Sequence, residues 1–438
     1  MIRHALARGL SSDPVALQAD LRVMAERAER VARTLGEPSR QQAVALRALV
    51  AGTPTATSID AALLRGRWLQ ARHLARAVAL AQPALAFDEL LVTTRFALHH
   101  KPNVCGIHYS WAYKPGGDLC VLRGFRSDQP TAAPLLQGRL GPGHVHGSDL
   151  AFAGDRIVFG WARQPDWPPR GADAYELTKL TEPIHLYELD LASGVVTQLT
   201  DHRFHNDLEP VYLPDGGIAF ASDRSAHSPA CDGWENDIAD TTLYRLAADR
   251  QTLRRLTYQK DVDLHPHLLN DGRIGYLRWE YTERGFWPVH SFWAVNPDGT
   301  MADALYKQYL TSYTSVRDVR SIEQSARYGG IAAGHHAQAV GSLVRLHLDS
   351  GVNDPRGTEL VARGSGPQEN GLAAERVAGG GVPETPGYYH APYGLSDDAF
   401  LVSFGFGAPT RFRYRKTDLI SNDAGLYFVD THGNKELL

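Results

Sequence analysis

The chain repeats itself. EPVYLPDGGIAFASDR (209–224) is followed by TLYRLAADRQTLRRLT (242–257), and HPHLLNDGRIGYLRWE (265–280) by SFWAVNPDGTMADALY (291–306). An earlier copy reads SDLAFAGDRIVFGWAR (148–163) and HLYELDLASGVVTQLT (185–200); a looser one has GGIAAGHH (329–336) and SLVRLHLDSG (342–351). APYGLSDDAFLVSFGF (391–406) and GLYFVDTHGNKELL (425–438) end the series. Each copy sets apolar runs on either side of an Asp-Gly-like pair and again around an Asp-x-x-Gly-like pair, the pattern of two β-hairpins. Four antiparallel strands recurring every ~50 residues predict the blades of a β-propeller. LLVTTRF (90–96), DLCVLRGF (118–125) and PLLQGRL (134–140) supply one degraded blade before the first full copy. The count is six blades, or seven if 352–390 holds another. A β-sandwich would not account for the recurring Leu-Tyr…Leu-Thr ending.

Residues 1–86 have a different texture. They carry 12 Arg against 6 Asp+Glu, while the rest of the chain is acidic and the whole is −4. Asp13 reads as an N-cap with Pro14 at the first helical position, and Leu17, Leu21, Met24, Ala28, Val31 and Leu35 follow at helical spacing. Gly36 is expected to end this helix, Pro38 to open a second through Leu49, and a third to run from Ser58 to Leu80. The predicted organisation is an N-terminal helical segment (1–86) followed by the propeller (87–438).

The histidines are the functional clue. There are 19, against three cysteines, and only His4 and His73 precede residue 87. With the copies in register, Pro210 aligns with Pro266 and Pro392, and Glu209 with His265. Asp207 aligns with Asp263 and His146, His205 with Asp261 and His144, and His390 falls one place before Glu209. All stand at the start of the innermost strand. His335 and His336 follow a second strand, and such strand ends share a face with the start of the first. The expectation is a ring at the channel mouth, with His146, His205, His265, His335, His336 and His390 as metal ligands. Asp207 and Glu209 are the expected catalytic carboxylates, as orienting partner or proton acceptor. Imidazole mixed with carboxylate suits a divalent transition metal (Fe, Cu, Zn or Mn) better than calcium. Channel histidines that merely bond buried water or strand ends are the competing explanation.

The exclusions are plain. The modest net charge argues against nucleic-acid and membrane partners, and no run of about 18 apolar residues is present. Cys105, Cys120 and Cys231 form no Cys-x-x-Cys-His, so no covalent haem is expected. MIRHALARGLSSDP has no continuous apolar core of a secretory signal, which makes the cytoplasm the expected compartment. No G-x-S-x-G or H-E-x-x-H occurs.

HNDLEPVYLPDGGIAFASDR, DLHPHLLNDGRIGYLRWEYTERG, AAGHHAQAVGSLVRL and HAPYGLSDDAFLVSF together resemble the middle propeller domain of the hydrazine synthase alpha subunit family, which is built from TolB-type blades. The resemblance spans roughly 87–438. It implies the propeller fold and a channel mouth able to host redox chemistry; the family's haem chemistry does not carry over, because the attachment motifs are missing. The resulting expectation is a metal-dependent enzyme, an oxidoreductase acting on a small-molecule or peptide substrate. The alternatives are a non-catalytic propeller that binds a protein or peptide partner, and a metal-assisted carbohydrate lyase or hydrolase.

Overall fold

The computed structural model describes residues 13–55, 57–96, 113–164, 182–227, 239–280, 290–310, 313, 315–334, 339–364, 387–406 and 424–438. Three helices come first: α1 (Pro14–Ala32), α2 (Glu37–Ala51) and α3 (Ala61–Leu80). Asp13 caps α1 through the Val15 N–H, and the expected apolar stripe is its buried face. Two boundaries differ from expectation. Gly36 has an extended backbone (φ −74°, ψ 178°) and opens α2 instead of ending α1, since Arg33 already takes the C-cap place. Asp60, not Ser58, starts α3, because its carboxylate accepts from both Ala62 and Leu63 N–H. Leu21, Leu46, Leu64 and Trp68 form the shared core, and the buried Trp68 indole donates to Asp20 at 2.8 Å.

Strands follow in antiparallel units. The first has three, β1 (Glu89–Arg95), β2 (Gly117–Arg123) and β3 (Thr131–Pro134), so the strand expected at 134–140 lies a few residues earlier. The second unit is β4 (Gly143–Leu150), β5 (Arg156–Arg163), β6 (His185–Asp190) and β7 (Val196–Gln198). The third is β8 (Asp207–Tyr212), β9 (Ile218–Ser222), β10 (Thr242–Leu246) and β11 (Leu253–Arg255). The fourth is β12 (Asp263–Leu268), β13 (Ile274–Trp279), β14 (His290–Val295) and β15 (Asp303–Tyr306). The fifth is β16 (Ser315–Ser321), β17 (Tyr328–Ala333), β18 (Gly341–Leu346) and β19 (Thr358–Ala362). The sixth is β20 (Gly387–Ser396), β21 (Ala399–Phe406), β22 (Gly425–Asp430) and β23 (Lys435–Leu437). Within 352–390, then, Thr358–Ala362 completes the fifth unit; residues 365–386 lie outside the described residues.

First strands of successive units pack side by side from β4 through β20. Hydrogen bonding among the described residues does not close the array. Single bridges join the fourth unit to the fifth (His290 to Ser315) and the fifth to the sixth (Gly341 to Tyr389). The two ends of the array meet through packing: Leu122 of β2, Leu401 of β21, Phe428 of β22 and Leu80 of α3 share one buried cluster. Arg76 of α3 donates to the carbonyls of both Phe125 and Leu437, and Arg72 pairs with Glu436 at 2.7 Å. The helical segment thus holds the first and last units together.

Candidate functional site

Five first strands carry a bulge at the same place. The register shifts between Val145 and Ser148, Leu208 and Val211, Leu264 and His267, Arg317 and Arg320, and His390 and Tyr393. At each, one residue takes a left-handed backbone: Gly147 (φ 76°), Glu209 (53°), His265 (54°), Asp318 (49°) and Ala391 (49°). A bulge inserts a residue and re-aims its side chain, and non-glycine residues accept that backbone only where the surroundings impose it. Gly147 has a second reason to be glycine: a Cβ there would stand 2.6 Å from Glu209 Cα.

This register corrects part of the sequence alignment. The last paired residues before the bulges are Val145, Leu208, Leu264, Arg317 and His390, so His146 stands with Glu209, His265 and Asp318, not with Asp207. Likewise His144 moves out of register with His205.

The bulges bring chemistry together. Glu209 Oε2 accepts from the His265 backbone N–H at 2.8 Å, and Oε1 lies 2.9 Å from His265 Nδ1. His265 Nε2, by contrast, is buried with no hydrogen-bond partner among the described residues. One unit further round, Asp318 Oδ1 is 2.6 Å from His267 Nε2 and 3.4 Å from Arg320 Nε. On the other side Tyr113 stacks on His144 at 5.0 Å and meets His146 edge-on at 5.2 Å, while the Arg95 guanidinium lies 5.4 Å from the Tyr113 ring centre. Both ring nitrogens of the fully buried His144 lack partners among the described residues.

Electrostatic influence runs right round this set. Burial opposes the Glu209 carboxylate, but His265, and behind it His146, outweigh that and hold the carboxyl down at about 2. Burial likewise opposes a charged His265, yet Glu209 and then Asp318 raise it above the ordinary imidazole value. Asp318 is driven far below the carboxylate range against its burial by Arg320 and His267. Burial and then Arg320 bring His267 down to about 4, so it meets Asp318 as a neutral ring donating Nε2–H. Burial and then Arg95 bring His390 down to about 4 as well. His144 falls well below its ordinary value through burial, then His146 and Arg95. Burial pushes Tyr113 up to about 12. Every unit contributes a member.

The ion pair has a signed consequence for stability. Glu209 is depressed below its ordinary 4.5, so its share is present above about pH 4.5 and lost as pH falls towards 2. His265 is raised, so its share is complete below 6.5 and lost as pH climbs through the raised value. The groups facing the pair are His146, Asp318, Arg317 and Tyr113. Urea midpoints should therefore fall on both sides of a plateau between about pH 4.5 and 6.5, and Glu209→Gln should flatten the acid limb. An acid limb identical in wild type and variant would show that the pair contributes nothing.

Other predicted site residues lie elsewhere. Asp207 is fully buried, and Arg224 donates to both its oxygens at 3.1 and 2.6 Å, a bidentate pair that neutralises its charge. Asp263 is held in the same way by Arg278, at 2.8 and 2.9 Å. His205 stacks on His202 at 4.1 Å with Nδ1 3.5 Å from Asp223, ahead of β8 and apart from the bulge residues. His335 and His336 lie outside the described residues. Among the described residues no group of three or more His, Cys, Asp or Glu side chains could hold a metal ion. Sequence reading missed Asp318, His267, Tyr113 and Arg95. Asp318 escaped because the fifth unit has Val319 where Pro210, Pro266 and Pro392 mark the other bulges.

No protein-family model and no curated protein matches the sequence. Solved structures do. Hydrazine synthase of Kuenenia stuttgartiensis superposes with a TM-score of 0.55 at 14% identity, over 80% of this chain and 44% of that one. The likeness is one of fold. This chain spans less than half of the hydrazine synthase chain, and at that identity no activity comes with it. TolB from Acinetobacter baumannii (TM-score 0.42, 10% identity, 79% of this chain and 68% of that one) is more distant. So is an oligogalacturonate lyase in complex with manganese (0.41, 13%, 71% and 73%). All three are β-propeller-like, and the chain is mainly β with helices at its N-terminus. No helix among the described residues is long and apolar enough to cross a membrane.

Proposed function

We propose that the chain is a β-propeller enzyme of six blades, carrying its helical segment (1–86) as a clasp, with the His265–Glu209 pair as its reacting group. One observation carries this reading. Glu209 engages His265 Nδ1 while Nε2 is left buried and unpartnered among the described residues, the arrangement in which a carboxylate fixes the tautomer of a working imidazole. The left-handed backbone at both residues supports it, since strain of that kind gathers at reactive sites. In this role Nε2 takes a proton from, or returns one to, a substrate in the ring interior, and Glu209 stabilises the imidazolium that forms.

A metal-dependent oxidoreductase would use the same atom. His265 Nε2 would be a ligand and Glu209 its orienting partner, and a bound divalent metal would polarise a substrate oxygen or activate dioxygen. The described donors do not complete such a site, so this version needs further ligands such as His335 or His336. A propeller that only binds a protein or peptide partner would keep the pair for its share of stability alone.

Protein purified without chelator, as wild type and as His265→Gln, separates these readings. Hydrolysis, elimination and oxygen-uptake assays should find turnover that drops by about a hundredfold or more in the variant. Turnover indifferent to His265 would overturn the proposal. Metal near one per chain in wild type and lost in the variant assigns the metal version; none in either, even after reconstitution, leaves acid–base chemistry alone.

A further inference from the structure

Arg95 ends β1, one place short of the level that Arg224 holds beyond β9: Thr93 pairs with Leu119 as Ala221 pairs with Leu243, and Leu119 and Leu243 accept equivalent backbone N–H groups, from Leu135 and Leu256. In the third unit the charge is neutralised, because Arg224 donates two hydrogen bonds to Asp207 on the adjoining first strand. The first unit is a sheet of β1, β2 and β3 only, with no such strand beside β1 among the described residues. Arg95 is exposed and has no carboxylate within ion-pair distance among them.

Beneath Arg95 lies an aromatic floor. Tyr113 is buried under it, and His144 is stacked below Tyr113 with neither nitrogen hydrogen-bonded to a described residue. The acids of the ring are committed: Glu209 to His265, Asp318 to His267 and Arg320, Asp263 to Arg278. An exposed guanidinium with no carboxylate beside it among the described residues has its planar fork free for an oxyanion.

We propose that Arg95 is a substrate-binding residue that takes the carboxylate or phosphate group of a small molecule and seats it over Tyr113. This rests on reading the ring interior as a reaction site, and it names the charge class of what enters. The residue acts in binding; His265 acts on the bound molecule.

Isothermal titration of the full chain with sodium malonate, inorganic phosphate and neutral malonamide, at fixed ionic strength, tests this. At least one anion should bind saturably and malonamide should not. Arg95→Ala should weaken the anion by about tenfold or more, and Arg95→Lys should recover part of it, with both variants melting alongside wild type. Malonate binding ahead of phosphate identifies a carboxylate ligand, the reverse order a phosphate. Equal affinity in wild type and Arg95→Ala, or no anion binding in wild type, overturns the proposal. Failure of the acid–base reading shows in turnover and leaves these titrations unchanged, so the two can fall separately.

Discussion

Arg72→Ala should cost about 3–5 kcal/mol of unfolding free energy, the range for stranding one partner of a buried ion pair. Glu436 is 3% exposed in its side chain and Arg72 11%, so neither charge has water to fall back on. The expected damage is not confined to the contact. Arg76, one helical turn on, donates to Phe125 and Leu437 carbonyls, and Gln82 donates to Asp430 at 2.8 Å. Together these tie α3 to the first and last units, which share no strand pairing with each other among the described residues. Urea unfolding should give the free-energy loss, and amide exchange should quicken in β1, β2, β22 and β23 before β8–β13. Arg72→Met combined with Glu436→Leu should recover much of the loss, because two apolar side chains leave no stranded charge. A single variant within about 1 kcal/mol of wild type would mean that the helical segment does not hold the ring.

The second large effect is expected at Arg278. Its guanidinium makes two hydrogen bonds to Asp263, which is fully buried, and lies 4.6 Å from the Trp293 ring centre and 5.3 Å from that of Tyr276. Arg278→Ala removes charge, hydrogen bonds and ring contacts at once, leaving Asp263 with only Gln259 at 2.6 Å among its side-chain partners in the described residues. A loss of about 3–5 kcal/mol is expected, with a change in tryptophan emission. Asp263→Asn added to Arg278→Ala should return part of the loss, since a neutral amide is cheaper to bury than a lone carboxylate. Arg224→Ala should cost less. Arg224 is 16% exposed against 9% for Arg278, so solvent can reach Asp207 once the guanidinium is gone. If the two single variants lose equal stability, burial is not what sets the cost.

These pairs also account for where sequence reading of the site succeeded and where it stopped. Pro210, Pro266 and Pro392 follow bulge residues, so aligning on proline brought Glu209, His265 and His390 to equivalent places correctly to within one residue. The second unit has Gly147 there and the fifth has Val319, so His146 slipped by two positions and Asp318 was overlooked. Asp207 was expected to act on a substrate. Its type and position were right for that, but the identity of its partner depends on Arg224 reaching across the hairpin, which no repeat pattern specifies.

The strand units and the helices that precede them were determined by the sequence itself. Both arise from local periodicity: apolar residues alternate or recur every three to four positions, turn residues punctuate them, and Asp13 caps the first helix. The repeats also placed Glu209 and His265 at one position of successive units. Tertiary structure alone decided which carboxylates are neutralised by arginine, which imidazoles lose their charge to burial, and which cation is left over. Charge and solvation depend on every group within several ångströms in space, and the neighbours that matter here come from all six units. Arg95 and Arg224 look alike in the chain, and only the groups beside each of them in space set the two apart.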